Sequence, residues 1–371
     1  MKRIIILTAV FLPLFLAGQQ ATIIDHSCLD LDQIPDEYIE DAKANLWIGY
    51  GGTSHSTQLT AGMNALEAYF TDGSYNWSQN GGPGELHLYE GGSGYLYNDC
   101  GTVGWDNHTR KYLDDHPGCN VIIWSWCGQV NSVDLQSHYL GPMEQLESEY
   151  PDVQFVYMTG HLEGLGVGGS LQLANQQIRD YCIANNKILY DFADIEKYDP
   201  DSETNYQEYF ANDECNYSPP GGGTANWANN WLAANPGHQL TQISQLCSYC
   251  AHSVSLNCTK KGIATWFLWA RLAGWEGPAA TSEKKSPLIW NNSIRIYSNP
   301  VNHDIKIFFT ETVFCNTLEI WDLSGRLLYS KLINERHNEL NISNINIPAG
   351  VYVVTIISDE QAYNGKLNFY K

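Results

Sequence analysis

Five short apolar runs, separated by helix-like stretches, constrain the first three quarters of the chain. The runs lie at residues 45–51, 85–89, 120–126, 153–159 and 187–192. They lack polar alternation, as is typical of parallel strands that are buried on both faces. The helix-like stretches between them lie at residues 57–70, 107–115, 135–150 and 170–186. This alternation predicts an α/β fold with a doubly wound parallel sheet between two layers of helices.

The first run ends in a turn that carries a hydroxyl group. Residues 46–56 read L-W-I-G-Y-G-G-T-S-H-S, so the order is strand, glycine turn, Ser54 and helix. Open α/β sheets bind ligands beyond the carboxyl ends of their strands, close to helix N-termini. Ser54 is therefore a candidate nucleophile, although serine is also a preferred N-cap of helices.

Charge excludes several classes of partner. The 371-residue chain has a formal net charge of −21, and 43% of its residues are hydrophobic. A chain this acidic has no broad basic face, so we expect no nucleic-acid partner and no attraction to anionic membranes. Most of the many Trp and Tyr side chains are expected to pack in cores and domain faces, but four aromatic residues near the predicted edge loops could stack on sugar rings. They are Tyr50, Trp77, Trp126 and Trp227.

The N-terminus and the cysteines indicate an exported protein. Residues 1–20 begin with Lys2 and Arg3, continue as an apolar run and end in small residues, which predicts a secretory signal peptide. No later run is long and apolar enough to cross a bilayer, so we expect no transmembrane segment in the mature protein. Ten cysteines fit an oxidising compartment, and we expect disulfides rather than zinc at the cluster Cys247, Cys250 and Cys258.

The character of the sequence changes towards the C-terminus. Residues 198–237 predict a long ordered loop, and residues 261–274 predict a buried helix. The α/β domain is expected to cover residues 21–277, and the polar stretch 278–293 to be a linker. Residues 294–371 contain short strands and turns that predict a small β-sandwich.

The C-terminal segment resembles the sorting domain of the type IX secretion system of Bacteroidetes. Three motifs carry the resemblance: I-Y-S-N-P-V at residues 296–301, I-W-D-L-S-G-R-L-L at residues 320–328 and I-P-A-G-V-Y at residues 347–352. The resemblance implies export by Sec and then by the type IX machinery, which would be a partner. It also implies that the mature protein is secreted or lies at the cell surface.

Residues 45–277 resemble an SGNH/GDSL-type hydrolase, which implies a flavodoxin-like three-layer fold. Gly52-Thr53-Ser54 stands where the family has Gly-Asp-Ser, with Ser54 as the nucleophile. His252, just before the last helix, stands where the family has its catalytic histidine. Tyr249 replaces the aspartate three residues earlier, so Asp194 or Asp191 would supply the acid; alternatively, the site is a Ser-His dyad.

The resemblance also implies an oxyanion hole and a mechanism. Ser54 would attack an ester carbonyl with His252 as base, and water would hydrolyse the acyl-enzyme. The backbone N–H of Ser54 is one candidate oxyanion donor. The remaining candidates are oxyanion donors or substrate contacts: Gly92 or Gly91, Gly128, Gln129 or Asn131, and His161. His55, beside Ser54, is interpreted as a pocket wall or as a residue at the start of the helix. No metal and no cofactor is required.

Two functions of different classes follow. The first is a secreted serine esterase or acetylesterase that acts on carbohydrate or other extracellular esters. The second is a catalytically silent SGNH-like protein that binds glycans or surface material, which the departures from the catalytic motifs favour. A purely structural surface protein is a third option. The substrate would accordingly be an ester or a glycan.

Overall fold

A computed structural model gives the structure of two compact units, Met1–Gly277 and Pro278–Lys371. It describes residues 21–278 except 93 and 203, and residues 294–369 except 300–303, 323–326, 344, 346, 349 and 359–361. The predicted signal peptide, nearly all of the predicted linker and parts of the three sorting motifs lie outside the described residues.

A parallel sheet of seven strands forms the centre of the first unit, which confirms the predicted fold class. Its strands are β1 (Thr22–Ile24), β2 (Trp47–Gly51), β3 (Trp77–Ser78), β4 (Leu86–Glu90), β5 (Val121–Trp124), β6 (Gln154–Met158) and β7 (Ile188–Tyr190). Their spatial order is β1-β7-β6-β5-β2-β4-β3, and each neighbouring pair is parallel. The five predicted runs became β2, β4, β5, β6 and β7. The added edge strands β1 and β3 have three and two residues, too few to give a pattern.

The strand order creates a switch point between β2 and β5. The chain passes from β2 to β4 on one side and then returns to β5 on the other side of β2. Connections that leave in opposite directions open a crevice at the carboxyl ends of the two strands, where doubly wound sheets bind ligands. The loops that follow β2 and β5 therefore define the place to look for a site.

Helices cover both faces of the sheet. They are α1 (Asp36–Asn45), α2 (Thr57–Tyr69), α3 (Trp105–Asp115), α4 (Gly141–Glu149), α5 (Ser170–Ala184), α6 (Phe192–Lys197), α7 (Trp227–Ala234), α8 (Gln239–Ser244) and α9 (Ser255–Leu272). One apolar core joins the sheet to α1, α2 and α9, and a second joins it to α3, α4 and α5. Side chains of β5 alternate between them, with Val121 and Ile123 in the first and Ile122 and Trp124 in the second.

Two glycines allow α2 and α9 to touch. A Cβ atom on Gly62 would lie 1.9 Å from the Cys258 carbonyl oxygen, and one on Gly262 would lie 2.3 Å from the Gly62 carbonyl carbon. This contact fixes the start of α2, which follows Ser54, against the start of α9, which follows His252. α9 is buried as predicted, although it begins six residues before the predicted residue 261.

The predicted loop at residues 198–237 is ordered and contains short elements of its own. A 3₁₀ turn (Tyr206–Tyr209), a two-stranded pair of β8 (Asn216–Tyr217) with β9 (Ala225–Asn226), and α7 lie within it. One disulfide, Cys250–Cys258, joins the loop before α9 to that helix. Cys247 is free, so the predicted disulfide cluster forms through two of its three cysteines.

The second unit is a curled antiparallel sheet. Its strands are β10 (Ile294–Asn299), β11 (Asp304–Asp322), β12 (Leu327–Ile342), β13 (Gly350–Ile357) and β14 (Ala362–Phe369). β11 pairs with β12 along most of its length, while β10 and β13 pair with opposite ends of β11. A separate apolar core lies within this unit, in agreement with the predicted small β domain.

Candidate functional site

The turn after β2 brings Ser54 to the switch point. Gly52 has a φ of +154°, and a Cβ atom there would lie 2.7 Å from the Ser56 Cβ atom. A 3₁₀ turn at Ser54–Ser56 then leads into α2. Ser54 is half-buried, whereas the side chain of His55 turns into the protein and is only 5% exposed.

The loop after β5 brings a thiol to the same place. Cys127 follows β5 by three residues and is half-buried. Its Sγ atom lies 3.3 Å from the Ser54 Oγ atom, within hydrogen-bond distance for sulfur. The switch point therefore joins two potential nucleophiles, one from each of the strands that define it.

A carboxylate from the long loop holds the imidazole of His55. The Nε2 atom of His55 lies 3.1 Å from the Asp213 Oδ2 atom. The same oxygen lies 3.9 Å from the Nδ1 atom of His161, which follows β6. Among the described residues, the buried Nδ1 atom of His55 has no hydrogen-bond partner. One side of the ring is thus oriented by a carboxylate, and the other side is left for a reacting group.

Three imidazole rings, which we call the histidine column, stack on one another. His55 is central: its ring lies 3.9 Å from that of His161 at 4° and 4.6 Å from that of His252 at 12°. Ligand atoms of His55, His161 and Asp213 lie within 4.8 Å of each other, which is close enough to consider a metal. A metal must lie near the plane of each imidazole it binds, at about 2.0–2.1 Å. Because the His55 and His161 rings are parallel and stacked, one ion cannot meet this condition for both.

The electrostatics of the site favour a charged pair. Burial by itself lowers the pKa of His55, but the Asp213 carboxylate, which is hydrogen-bonded to the ring, and the neighbouring Cys127 outweigh burial and raise that pKa to about 9. The neighbouring imidazole of His55 lowers the pKa of Cys127 to about 7, against the effect of burial. Burial raises the pKa of Asp213, yet its two histidine neighbours bring the net value below the ordinary one. Between pH 7 and 9, the thiolate and imidazolium forms are therefore favoured together.

The sequence-based triad is brought together only in part. His252 joins the histidine column and is exposed. Asp194 lies elsewhere: its carboxylate accepts hydrogen bonds from His26 and pairs with the Lys197 Nζ atom at 2.5 Å. The alternative acid, Asp191, pairs with Arg179 at 2.5 Å. The carboxylate that reaches the histidines is Asp213, for which no local sequence signal exists.

Three of the predicted oxyanion donors, Gly92, Gln129 and Asn131, are already engaged in hydrogen bonds. The Gly92 N–H donates to the Tyr95 carbonyl oxygen at 3.1 Å. The Gln129 side-chain amide donates to Asp99 at 2.8 Å, and that of Asn131 donates to Glu163 at 3.3 Å. Gly128 lies beside His161, since a Cβ atom on it would be 3.9 Å from the His161 Nε2 atom. These groups line the crevice, and the side-chain amides of Gln129 and Asn131 are hydrogen-bonded to carboxylates.

The residue that departs from the Gly-Asp-Ser motif has a structural partner. The Thr53 hydroxyl donates to the Asp99 Oδ1 atom at 2.5 Å, while Gln129 binds the other oxygen of the same carboxylate. Asp99 lies in the loop after β4. It therefore ties together the loops that follow β2, β4 and β5.

A fully buried ion pair is hydrogen-bonded to the segment that carries His161, a member of the histidine column. The Lys261 Nζ atom of α9 lies 2.8 Å from the Glu196 Oε1 atom of α6. The other Glu196 oxygen accepts a hydrogen bond at 2.7 Å from the backbone N–H of Leu162, next to His161. Burial lowers the pKa of Lys261, and Glu196 opposes this effect.

Hydrogen bonds also connect the Lys261–Glu196 ion pair to the segments that carry His252 and Asp213. Lys261 donates to Gln58, whose amide donates to the carbonyl oxygen of Ala251, next to His252. Glu196 also accepts from Asn257, which donates to the Ser253 hydroxyl at 2.8 Å. That hydroxyl donates to the Asp213 carbonyl oxygen at 2.5 Å. One buried network thus positions the segments that carry His161, His252 and Asp213.

Three of the four aromatic residues considered for sugar stacking pack in cores instead, as expected for most aromatic residues of the chain. Tyr50, Trp126 and Trp227 are at most 2% exposed and pack in the apolar cores, whereas Trp77 is half-buried on an edge strand. Exposed apolar side chains occur instead on loops beyond the strands and before α9. They include Tyr97, Val103, Val167, Phe210 and Tyr249.

Sequence reasoning missed Cys127 and Asp213 and gave His55 a different role. Cys127 had a signal: it follows an apolar run, as Ser54 does, and the two runs became neighbouring strands. Asp213 had none, because it lies in a long polar loop whose path depends on contacts with distant residues. His55 is expected to diverge from Ser54, because adjacent side chains on a turn usually do, and its partner Asp213 comes from a distant part of the chain.

Comparison with known proteins identifies the tail. Residues 295–368 match the family described as "Secretion system C-terminal sorting domain". This match confirms the type IX sorting segment and indicates export to the cell surface or the medium. A search of curated proteins finds no match. In the part of the chain that the structure describes, no helix has the length and apolar character to span a membrane.

Solved structures show only a weak likeness. An engineered protein shares 10% identity at a TM-score of 0.21, covering 84% of this chain and 60% of its own. An FMN-binding β-glucuronidase from Facaelibacterium prausnitzii L2-6 shares 8% identity at a TM-score of 0.20, covering 87% of this chain and 46% of its own. An endo-β-1,4-mannanase from Cellulomonas fimi shares 9% identity at a TM-score of 0.20, covering 85% of this chain and 58% of its own. The chain thus spans 46–60% of the length of these structures. TM-scores this low carry no argument, and no comparison supports the SGNH-type hydrolase, which stays a prediction.

Proposed function

We propose that the α/β unit is an exported hydrolase of acyl esters that works by nucleophilic attack at the switch point. One observation carries the proposal: two nucleophilic atoms, Ser54 Oγ and Cys127 Sγ, lie 3.3 Å apart, and the residue after Ser54 is His55, whose imidazole Asp213 orients. A nucleophile, a base and a group that orients the base are the parts that covalent acyl transfer requires.

His55 has the role of general base in this proposal. Its Nε2 atom is held by Asp213, and its buried Nδ1 atom has no hydrogen-bond partner among the described residues, which leaves this nitrogen for the reacting group. A positioned general base contributes about 10²–10⁴-fold to the rate. His252, the base expected from the SGNH resemblance, lies on the outer side of the column, where it can contact a substrate.

The arrangement of the unit supports an SGNH-like hydrolase in other respects. Ser54 follows the strand at the switch point, and His252 precedes the last helix, as in the sequence-based hypothesis. The sorting tail supports an extracellular substrate. Exposed apolar side chains on the edge loops suit an ester with an apolar or sugar-bearing part, such as an acylated carbohydrate.

A double variant tests this proposal. Ser54→Ala combined with Cys127→Ala removes both nucleophilic atoms and leaves the buried network intact. We expect hydrolysis of p-nitrophenyl acetate and of acetylated oligosaccharides by the full chain to fall to background, with an unchanged circular dichroism spectrum. Absence of hydrolysis by the unaltered chain, or full activity of the double variant, would contradict the proposal.

A second candidate function is binding of glycans or surface material without catalysis. The engagement of the Gln129 and Asn131 amides by carboxylates favours it, since an oxyanion hole needs free donors. A glycan array separates the two functions. Binding by a chain that hydrolyses no ester would select the silent protein.

A further inference from the structure

We propose that Cys127, rather than Ser54, is the attacking nucleophile, and that the reaction passes through a thioester on its Sγ atom. The inference rests on the proposed hydrolase function and names the group that carries its covalent step. It departs from the sequence-based hypothesis, in which Ser54 forms the acyl-enzyme. Four observations about the site lead to it.

First, Cys127 is accessible and stands at the switch point. Most free cysteines of the described chain are buried in apolar cores: Cys100, Cys119, Cys182, Cys215 and Cys315. Cys127 is half-buried and lies directly beyond β5, at the carboxyl edge of the sheet. A thiol that only fills a core has no reason to occupy this position.

Second, a buried imidazole with a free nitrogen accompanies the thiol. His55 is 5% exposed, and Asp213 binds its Nε2 atom at 3.1 Å. Within the described chain, its Nδ1 atom makes no hydrogen bond, although a buried polar atom normally has a partner. A reacting nucleophile or a leaving group would supply that partner during catalysis.

Third, the hydroxyl of Ser54 is arranged as a partner of the thiol. The Ser54 Oγ atom lies 3.3 Å from the Cys127 Sγ atom. The imidazole of His55, in contrast, lowers the pKa of Cys127. A serine hydroxyl is a weak nucleophile unless a base removes its proton. Ser54 therefore acts as a positioning residue whose O–H donates to the thiolate.

Fourth, the charges of the site agree with this assignment. The neighbouring imidazole of His55 lowers the pKa of Cys127 to about 7, and Asp213 and Cys127 raise the pKa of His55 to about 9 against the effect of burial. The thiolate is the nucleophilic form of cysteine. At neutral pH a large fraction of Cys127 is therefore ready to attack, while His55 carries the proton that a leaving group needs.

The step balances with groups that the site contains. A lone pair of the Cys127 thiolate forms a C–S bond to the ester carbonyl carbon, and the C=O π pair moves to oxygen. When the tetrahedral adduct collapses, the C–O bond breaks and the alkoxide takes a proton from His55. Water then attacks the thioester, neutral His55 accepts its proton, and the C–S bond breaks. The net reaction is ester plus water to acid plus alcohol.

Acyl mapping tests the proposal on the full chain. The protein is incubated with p-nitrophenyl acetate, quenched with acid and digested, and acetylated peptides are located by mass spectrometry. We expect acetyl on Cys127, released by neutral hydroxylamine. Cys127→Ala should reduce turnover at least 100-fold, while Ser54→Ala should reduce it less than 10-fold.

Acetyl on Ser54 that persists in Cys127→Ala would overturn the Cys127 assignment and still support the hydrolase. No acetyl at either residue together with no turnover would overturn both. These outcomes separate failure of the nucleophile assignment from failure of the proposed function.

Thiol reactivity gives a second readout that does not depend on ester turnover. The rate of iodoacetamide alkylation is followed against pH for Cys127 and for Cys28, a half-buried thiol whose pKa burial raises to about 11. We expect the Cys127 profile to be half-maximal near pH 7 and the Cys28 profile to keep rising above pH 9. In His55→Gln, the Cys127 midpoint should move up by at least one pH unit. A midpoint that stays above 8.5 in the unaltered chain would overturn the proposal.

Discussion

Two hydrogen-bonded histidine–aspartate pairs lie in the described part of the α/β unit, and only one has the surroundings of a reactive site. His55 pairs with Asp213 at the switch point, next to the half-buried thiol of Cys127. His26 pairs with Asp194 after the edge strand β1, and the half-buried Cys28 follows two residues later. The same three residue types thus occur twice, in different environments.

The difference lies in what else each pair touches. Asp194 also binds Lys197, and the His26 ring stacks on Tyr198 at 4.0 Å, so the second pair anchors an edge strand. Burial raises the pKa of Cys28 to about 11, while His55 lowers the pKa of Cys127 to about 7. A histidine–aspartate pair can serve in catalysis only when its imidazole lies next to a nucleophile. The strand order decides which of the two pairs does so.

The largest contrast is expected between the two histidines. His55→Gln removes the proposed general base, so ester hydrolysis should fall by about 10²–10⁴-fold. His26→Gln removes the equivalent ring of the edge pair and should leave hydrolysis unchanged. Both variants are assayed with p-nitrophenyl acetate at saturating concentration. An equal loss of hydrolysis in the two variants would contradict the assignment of different functions to the two pairs.

The two aspartates should separate activity from stability. Asp213→Asn keeps the shape of the side chain but no longer stabilises the protonated ring of His55, and we expect kcat to fall by about 10²-fold. Asp194→Asn should leave kcat unchanged and lower the free energy of unfolding by about 2 kcal/mol, because it weakens charged hydrogen bonds. Urea denaturation and steady-state kinetics measure the two effects. Loss of kcat in Asp194→Asn alone would return the acid role to that residue.

The pH dependence of hydrolysis should reflect the titration of Cys127 and His55 and should not depend on Cys28. Cys127 has its pKa lowered to about 7, so hydrolysis should rise as pH increases through that value and the thiolate forms. His55 has its pKa raised to about 9, so hydrolysis should fall above it as the imidazolium is lost. The expected profile of kcat/KM is bell-shaped, with each limb changing about tenfold per pH unit. In Cys28→Ser the profile should be the same; a profile with no limb near 7 would contradict the role of Cys127.

The smallest effect is expected at the outer ring of the histidine column. His252 is exposed and stacks on His55 at 4.6 Å, so His252→Gln removes a wall of the crevice and leaves the proposed base in place. We expect KM to rise less than 10-fold and kcat to change little. A loss of kcat as large as that of His55→Gln would instead support the Ser54–His252 hypothesis.

Much of the fold could be predicted because its signals are local. The runs that became β2 and β5 are apolar throughout, and Gly51-Gly52 before Ser54 marks the turn into α2. The edge strand β1 was missed because a three-residue strand has no periodicity. The site was predicted less completely, since Ser54 and the His252 loop have local context and Asp213 has none.

The sequence by itself determined the α/β class, the place of Ser54 beyond a buried strand and the type IX sorting tail. These follow from apolar periodicity, glycine turns and contiguous motifs, which depend on neighbours along the chain. Only the tertiary structure decided that Cys127 meets Ser54, that Asp213 rather than Asp194 holds the imidazole, and that three histidines stack. Those contacts join residues 73 to 197 positions apart, between Ser54 and Cys127 and between His55 and His252. They arise from strand order and from the buried Glu196–Lys261 network, which no local pattern encodes.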